Sequence, residues 1–317
     1  MDKIDNPIDI EKQIELMKKY IVFSRKTKIK NILEYTGYFR LSRYAKYLIS
    51  FSNIIGSKPD QDLLFALYEF DSELRNVMFK SCEKAEIQFK SNLSNAISMK
   101  VNDSVFYIKE EYYTPTKGEK DKLRKESNRR WFERTFFRKL KEQEENLRRD
   151  KNKFPELKEY RGNGERSRKK IPCWAAFSYY EFGTITNIYS YLRGDLKKEV
   201  LIYGYSKKRY SKSTVKCVET WIDGIRNLRN ICAHHNKLVG KTSSIILLDL
   251  DDDNKILSSE TDLFSRIYAL KKILNKKDSE ILKKDLIRII KKAKLNIYEF
   301  NILPKKWEEL FDDIKYL

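Results

Sequence analysis

The stretch Arg226-Asn-Leu-Arg229-Asn230-Ile-Cys-Ala-His234-His235-Asn236-Lys237 gathers the side chains best suited to chemistry in this 317-residue sequence. The chain has two histidines, and they stand side by side here. No other side chain has an unperturbed pKa near neutrality, so a proton moved at pH 7 falls first on this pair. Arginine with histidine suits phosphate chemistry: a guanidinium binds two phosphoryl oxygens at once, and an imidazole moves a proton. A structural alternative stands beside that reading. A histidine at a helix C-terminus can simply complement the helix dipole, and an arginine there can simply form a salt bridge.

The element that must position these residues is a helix over residues 212–235. Val215, Val218, Ile222 and Ile225 form its apolar stripe, and at 100° per residue Arg229 falls on the same stripe. A charge aimed at an apolar face needs a partner or a phosphate. Asn230 and His234 are four apart and share a face. Arg229 and His234 are five apart, about 140° around an ideal helix. The two converge if the helix loosens at its end, if the long arginine swings round, or if the site is shared between two chains.

The longest helical pattern runs over residues 61–100, with Leu63, Leu67, Phe70, Leu74, Val77, Cys82, Ala85, Phe89, Leu93 and Ala96 recurring at three- and four-residue steps, Cys82 after a longer one. Glu86 lies beside this stripe. It either takes an arginine from another helix as partner or stays a solvated charge. Ahead of it the sequence predicts short helices over residues 10–22 and 27–35. Gly37-Tyr-Phe-Arg40-Leu-Ser42-Arg43-Tyr44 follows, with Gly37 as a helix stop and Ser42 as a candidate cap. Beyond it, Pro172 opens a helix that runs through Thr186, Leu196–Tyr203 reads as another, and Ser244–Asp249 reads as an extended segment. Patterns near 261–275 and 279–293 carry lysines expected on their outer faces, and a terminal helix follows Trp307.

Few glycines (10) and prolines (6) favour helices, and 41% hydrophobic residues exclude a largely disordered chain. The net charge of +20 attracts polyanions. Residues 117–170 hold 21 Lys/Arg against 11 Asp/Glu, half of that excess, with aromatics interleaved. Basic residues among aromatics suit an RNA surface. The candidates there are Arg129, Arg130, Trp131, Arg134, Arg138, Arg166, Arg168, Lys169 and Lys170, joined by Arg40 and Arg43 from the N-terminal block. The alternative is a salt-bridged exposed helix followed by a loop. No apolar run approaches a membrane span and no signal-peptide core is present, so no membrane partner is expected and the cytoplasm is the expected compartment. Cys82, Cys173, Cys217 and Cys232 are scattered without a C-x-x-C pair, which argues for reduced thiols and against a structural zinc site.

Five blocks, in order, resemble the Abi family of abortive-infection proteins, bacterial phage-defence factors of the AbiD/AbiF type. They are Gly37-Tyr-Phe-Arg40-Leu-Ser42-Arg43-Tyr44; Leu67-Tyr68-Glu-Phe70-Asp71-Ser-Glu-Leu74-Arg75; Pro172-Cys-Trp174 with Phe182-Gly183-Thr184; Leu228-Arg229-Asn230-Ile-Cys-Ala-His234-His235; and Leu303-Pro304-Lys-Lys-Trp307. Two departures are visible: Glu181 replaces the usual serine before Phe182-Gly183, and Lys90 stands where an arginine is common.

The resemblance extends to the HEPN group of helical bundles, whose R-x(4–6)-H motif marks metal-independent ribonucleases. It implies an all-α, HEPN-type bundle in which Arg229, Asn230 and His234 are catalytic, supported by Glu86, Arg226 and His235, with neither metal nor cofactor. The implied division is an N-terminal helical module (1–58), a bundle (59–116 and 171–295), a basic helical and loop insertion (117–170) and a C-terminal helix (296–317). The implied activity is RNA cleavage in phage defence, with a small non-coding RNA as a further partner; no antitoxin can be named. A composite site built from two such motifs requires a homodimer, because this chain has no third histidine. The rival reading is a protein that holds a structured non-coding RNA without cutting it.

Overall fold

The computed structural model describes residues 7–150, 152–161, 169–205, 212–250 and 256–317. The fold is all-α. Four helices lead in: α1 (Ile10–Met17), α2 (Lys26–Thr36), α3 (Tyr38–Ile49) and the single turn α4 (Ser52–Ile55). The axis of the molecule is α5 (Gln61–Val101), 41 residues and about 60 Å long. No glycine or proline interrupts it. The Asp60 side chain caps its start by accepting from the Leu63 amide at 2.8 Å, and Asn102 ends it in the left-handed region at φ +50°.

The basic segment follows as α6 (Lys122–Trp131), a π-helical stretch over Phe132–Phe137, and α7 (Arg138–Arg149). Then come α8 (Cys173–Tyr179), α9 (Phe182–Tyr191), α10 (Gly194–Gly204), α11 (Lys212–Ala233), α12 (Leu263–Ile273), α13 (Lys276–Lys292) and α14 (Trp307–Asp313). Helices α8, α10, α11 and α13 pack around α5, and α12 fills the space behind α11. One contiguous apolar core runs from Ile14 to Leu317, so the leading helices share it with the bundle. No described helix is long and apolar enough to cross a membrane.

Several sequence expectations change for physical reasons. The first helix stops at Met17 rather than running to residue 22. Helix α3 starts directly after Gly37, at φ +81°, so Ser42 is not its cap; it is buried within α3 and its hydroxyl donates to the Phe39 carbonyl. The helix expected from Pro172 through Thr186 is two, parted by extended backbone at Tyr180 and Glu181. Residues 244–249 pair with no strand. Their backbone bonds instead to helix side chains: the Trp221 indole donates to the Leu248 carbonyl at 2.6 Å, and Arg266 donates to the Ile245 carbonyl at 2.6 Å.

Helix α12 is the largest correction. Lys271 and Lys272, expected on an outer face, are 4% and 1% exposed. Both ammonium groups end on backbone carbonyls of the C-terminal segment. Lys271 donates to Phe311 and Asp312, and Lys272 to Lys315 at 2.7 Å. Burial of these charges is tolerated because each meets the partial negative charge of a fixed carbonyl.

Candidate functional site

Helix α11 runs antiparallel to α5, which sets every partner of the Arg–His stretch. Arg229 meets the middle of α5. Its Nε stands 3.7 Å from Glu86 Oε2, and its guanidinium lies 5.8 Å from the centroid of the Phe79 ring. Glu86 therefore has a partner on another helix. It also holds Lys90 one turn on, at 2.7 Å, and Lys90 donates to the Tyr180 carbonyl at 2.6 Å. That carbonyl lies at the break between α8 and α9. A line of charge thus joins the α8–α9 corner to Arg229 through Lys90 and Glu86. Arg229 itself is not sealed in the helix seam: its side chain is 42% exposed, because the long stem lets the guanidinium leave the apolar stripe.

The helix ends at Ala233 in a Schellman turn. The Asn236 amide donates to the Ile231 carbonyl and the His235 amide to the Cys232 carbonyl, both at 3.0 Å. His235 occupies the left-handed position at φ +52°, where glycine is the usual residue. A side chain there costs about 1–2 kcal/mol. His234 and His235 are both exposed, as is Asn230. No hydrogen bond or ion pair among the described residues joins Arg229 to His234. Within one chain, Asn230 and His234 form an exposed face and Arg229 lies on its flank.

What fixes the turn is a group sequence reasoning did not single out. Asp71 of α5 is fully buried and accepts from the amides of Leu238 (3.0 Å) and Val239 (2.6 Å), immediately after the histidines. Its other oxygen takes the Tyr44 hydroxyl at 2.5 Å and the Arg75 guanidinium. Burial pushes the Asp71 carboxyl up, and these donors pull it back. Tyr44, Asp71 and Arg75 all lie inside the first two family-like blocks. The missed signal was the pair Asp71 and Arg75, four apart on an apolar stripe, the same clue that marked Glu86.

Lys237 was also missed as a site residue. Its ammonium lies 4.4 Å from the centroid of the Tyr47 ring, and burial lowers its pKa from 10.5 to about 8, with Asp71 opposing and Arg43 adding to that shift. Gly240, at φ +65°, presses on the same ring: a Cβ there would stand 2.2 Å from Tyr47. The loop after the histidines is thus seated on both α3 and α5, and α3 brings Arg43 near the motif. Arg43 also lies over Phe39, while Arg40 stays half-buried.

Arg226 is ion-paired with Asp223 at 2.5 Å, and its Cδ would stand 3.6 Å from a Cβ at Gly183. In the basic segment, Arg129, Arg130, Arg134 and Arg138 are exposed, with Arg138 3.8 Å from Glu142. Lys169 and Lys170 are exposed too, and Lys170 pairs with the buried Glu144 at 3.1 Å. Arg166 and Arg168 lie outside the described residues. The aromatics there divide: Trp131 is 40% exposed, and the phenylalanines are covered. Phe132, Phe136 and Phe137 are buried, and Trp131 stacks on Phe136 (5.8 Å, 3°) and on Tyr191 (5.7 Å, 12°). The segment's phenylalanines join the common core against Tyr113 and Tyr191, and its arginines face solvent. The four cysteines are free and buried.

The family model for Abi-like protein matches residues 31–239, which span α3, α5, the basic segment and the Arg–His turn. The chain belongs to the Abi-like family. That places it among proteins of abortive infection, and the matched region closes at Val239, the last residue of the Asp71 clamp. Among curated proteins and among solved structures nothing matches the chain.

Proposed function

We propose that this Abi-like protein is a metal-independent endoribonuclease of the HEPN type, acting on RNA in phage defence. The observation that carries the reading is the end of α11. An exposed imidazole, His234, sits on a turn held in a strained conformation and clamped from behind by a buried carboxylate. Such rigid presentation of a titratable group to solvent is what general acid–base work requires. In the reaction the ribose 2′-oxygen attacks the adjacent phosphorus, and the bond from phosphorus to the 5′-oxygen breaks. His234 takes the 2′-proton or returns one to the leaving 5′-oxygen. Arg229, poised by Glu86, stabilises the charge on the phosphoryl oxygens, and the Asn230 amide hydrogen-bonds beside it. The products are a 2′,3′-cyclic phosphate and a 5′-hydroxyl.

A site with two such motifs needs a second copy of the chain, since both histidines belong to one motif. Arg229 stands apart from His234 within a chain, and a dimer brings the Arg229 of one copy to the His234 of the other. The exposed arginines of the basic segment supply the polyanion attraction, and a small non-coding RNA is a natural occupant. The same separation of Arg229 from His234 favours a second reading, in which the protein holds a structured RNA and does not cut it.

The deciding experiment is purification with bound nucleic acid retained, and sequencing of that material beside the Arg229→Ala/His234→Ala double variant. Fragments ending in 2′,3′-cyclic phosphate with the wild type alone establish the nuclease. One intact RNA on both proteins establishes the ribonucleoprotein. No nucleic acid on either removes both readings.

A further inference from the structure

A polar cleft of about 320 Å³ lies between α9, α11 and the turn that opens the basic segment. Its mouth is formed by Lys117, held in the left-handed region at φ +54° with its amide donating to the Thr114 carbonyl at 2.8 Å. The Lys117 ammonium lies 4.3 Å from the centroid of the Tyr191 ring, which is itself stacked on Trp131 and Phe136. Desolvation lowers the pKa of this lysine. Glu219 and Asp223 act on it from across the cleft, yet neither forms an ion pair with it. Glu219 is engaged by Lys197, and Asp223 by Arg226. The Arg226 Nε–H is buried and has no hydrogen-bond acceptor among the described residues. Lys117 therefore borders the cleft with no ion pair to either carboxylate, the Arg226 guanidinium beside it is paired with Asp223, and both carboxylates keep lone pairs for incoming hydrogens.

The remaining wall is α9, which presents Thr186, Asn187 and Ser190. Hydroxyl and amide groups there can donate and accept. A bare inorganic anion would satisfy Lys117 but face two carboxylates with nothing to donate to them. A polyamine would face Lys117, Lys197 and Arg226. The walls ask for one molecule with an anionic end, hydroxyl donors in the middle and a mixed donor–acceptor edge. The volume is at the small end for ligand sites.

We propose that this cleft is a binding site for a free nucleoside monophosphate. The phosphate meets the Lys117 ammonium, the sugar hydroxyls donate to Glu219 and Asp223, and the base edge reads Asn187 and Ser190. The cleft is lined by Arg226 but by none of Arg229, Asn230 and His234, and it does not depend on whether the Arg–His turn cuts RNA.

The test is isothermal titration calorimetry on the full chain with the four common 5′-ribonucleoside monophosphates, the matching nucleosides, inorganic phosphate and a short RNA oligonucleotide. At least one monophosphate is expected to bind, with its nucleoside weaker by about tenfold or more. Lys117→Met should weaken it by about tenfold with an unchanged thermal midpoint, and Lys117→Arg should restore it. His234→Ala should bind it as the wild type does, which separates this site from the motif. Absence of binding by all four monophosphates overturns the proposal. So does equal binding by wild type and Lys117→Met, or binding of the oligonucleotide alone.

Discussion

The end of α11 and the basic segment are built in opposite ways. The basic segment holds half of the net charge, spreads its arginines over solvent and packs its phenylalanines 132, 136 and 137 inward. The end of α11 shows two imidazoles and one half-exposed arginine, and spends a buried Asp–Arg–Tyr cluster on holding them still. Charge density marks where a polyanion can rest; buried polar wiring marks where geometry matters.

The comparison is broken most forcefully at Asp71. Asp71→Ala leaves Arg75 buried without its carboxylate and strips two amides of their acceptor. A loss of about 3–5 kcal/mol is expected in urea unfolding. A loss no larger than that of a surface change would mean the clamp holds nothing. The basic segment should respond in the opposite way. Reversing Arg129, Arg130, Arg134 and Arg138 together to glutamate should change stability by under about 0.5 kcal/mol per site. The same variant should weaken RNA binding and flatten its salt dependence by roughly three in log–log slope, readable by fluorescence anisotropy across a salt series.

A subtler probe is pH. Lys237 titrates at about 8 in the folded protein against the usual 10.5. Between those values the unfolded chain holds the extra proton, so the contribution of Lys237 to stability rises from pH 8 to 10.5 and is lost as pH falls through 8. The wild-type unfolding midpoint, measured against Lys237→Met, should climb across that window. Parallel curves would place the ammonium in ordinary solvent. The smallest effect is expected at His235→Gly. Relief of the left-handed strain, offset by glycine's extra freedom when unfolded, should stabilise by about 0.5 kcal/mol. A destabilisation would show that the imidazole makes contacts worth more than its strain.

Much of this was legible from the sequence, and the illegible part has a common cause. An unbroken three- and four-residue rhythm announced α5, because only local periodicity is needed to see it. Glu86 invited an arginine because a carboxylate beside an apolar stripe needs one, and Arg229 stands there. The role of Asp71 stayed hidden because its partners, Tyr44 and the amides of Leu238 and Val239, are 27 and more than 160 residues away. Lys271 and Lys272 read as surface residues for the same reason: their carbonyl acceptors come some 40 residues later. Phe132, Phe136 and Phe137 read as part of a basic–aromatic surface because composition does not say which rings are already covered.

Those two lysines also impose an order on biosynthesis. Helix α12 is walled in on every side, and two of its ammonium groups donate to carbonyls of residues 311–315. Until that stretch has emerged from the ribosome, both ammonium groups lack these carbonyl acceptors, and α12 lacks part of what seats it behind α11. The helix that bears the Arg–His turn is made about 80 residues earlier, but its backing arrives with the last segment. A nascent chain therefore exposes the motif's sequence long before it owns the motif's shape.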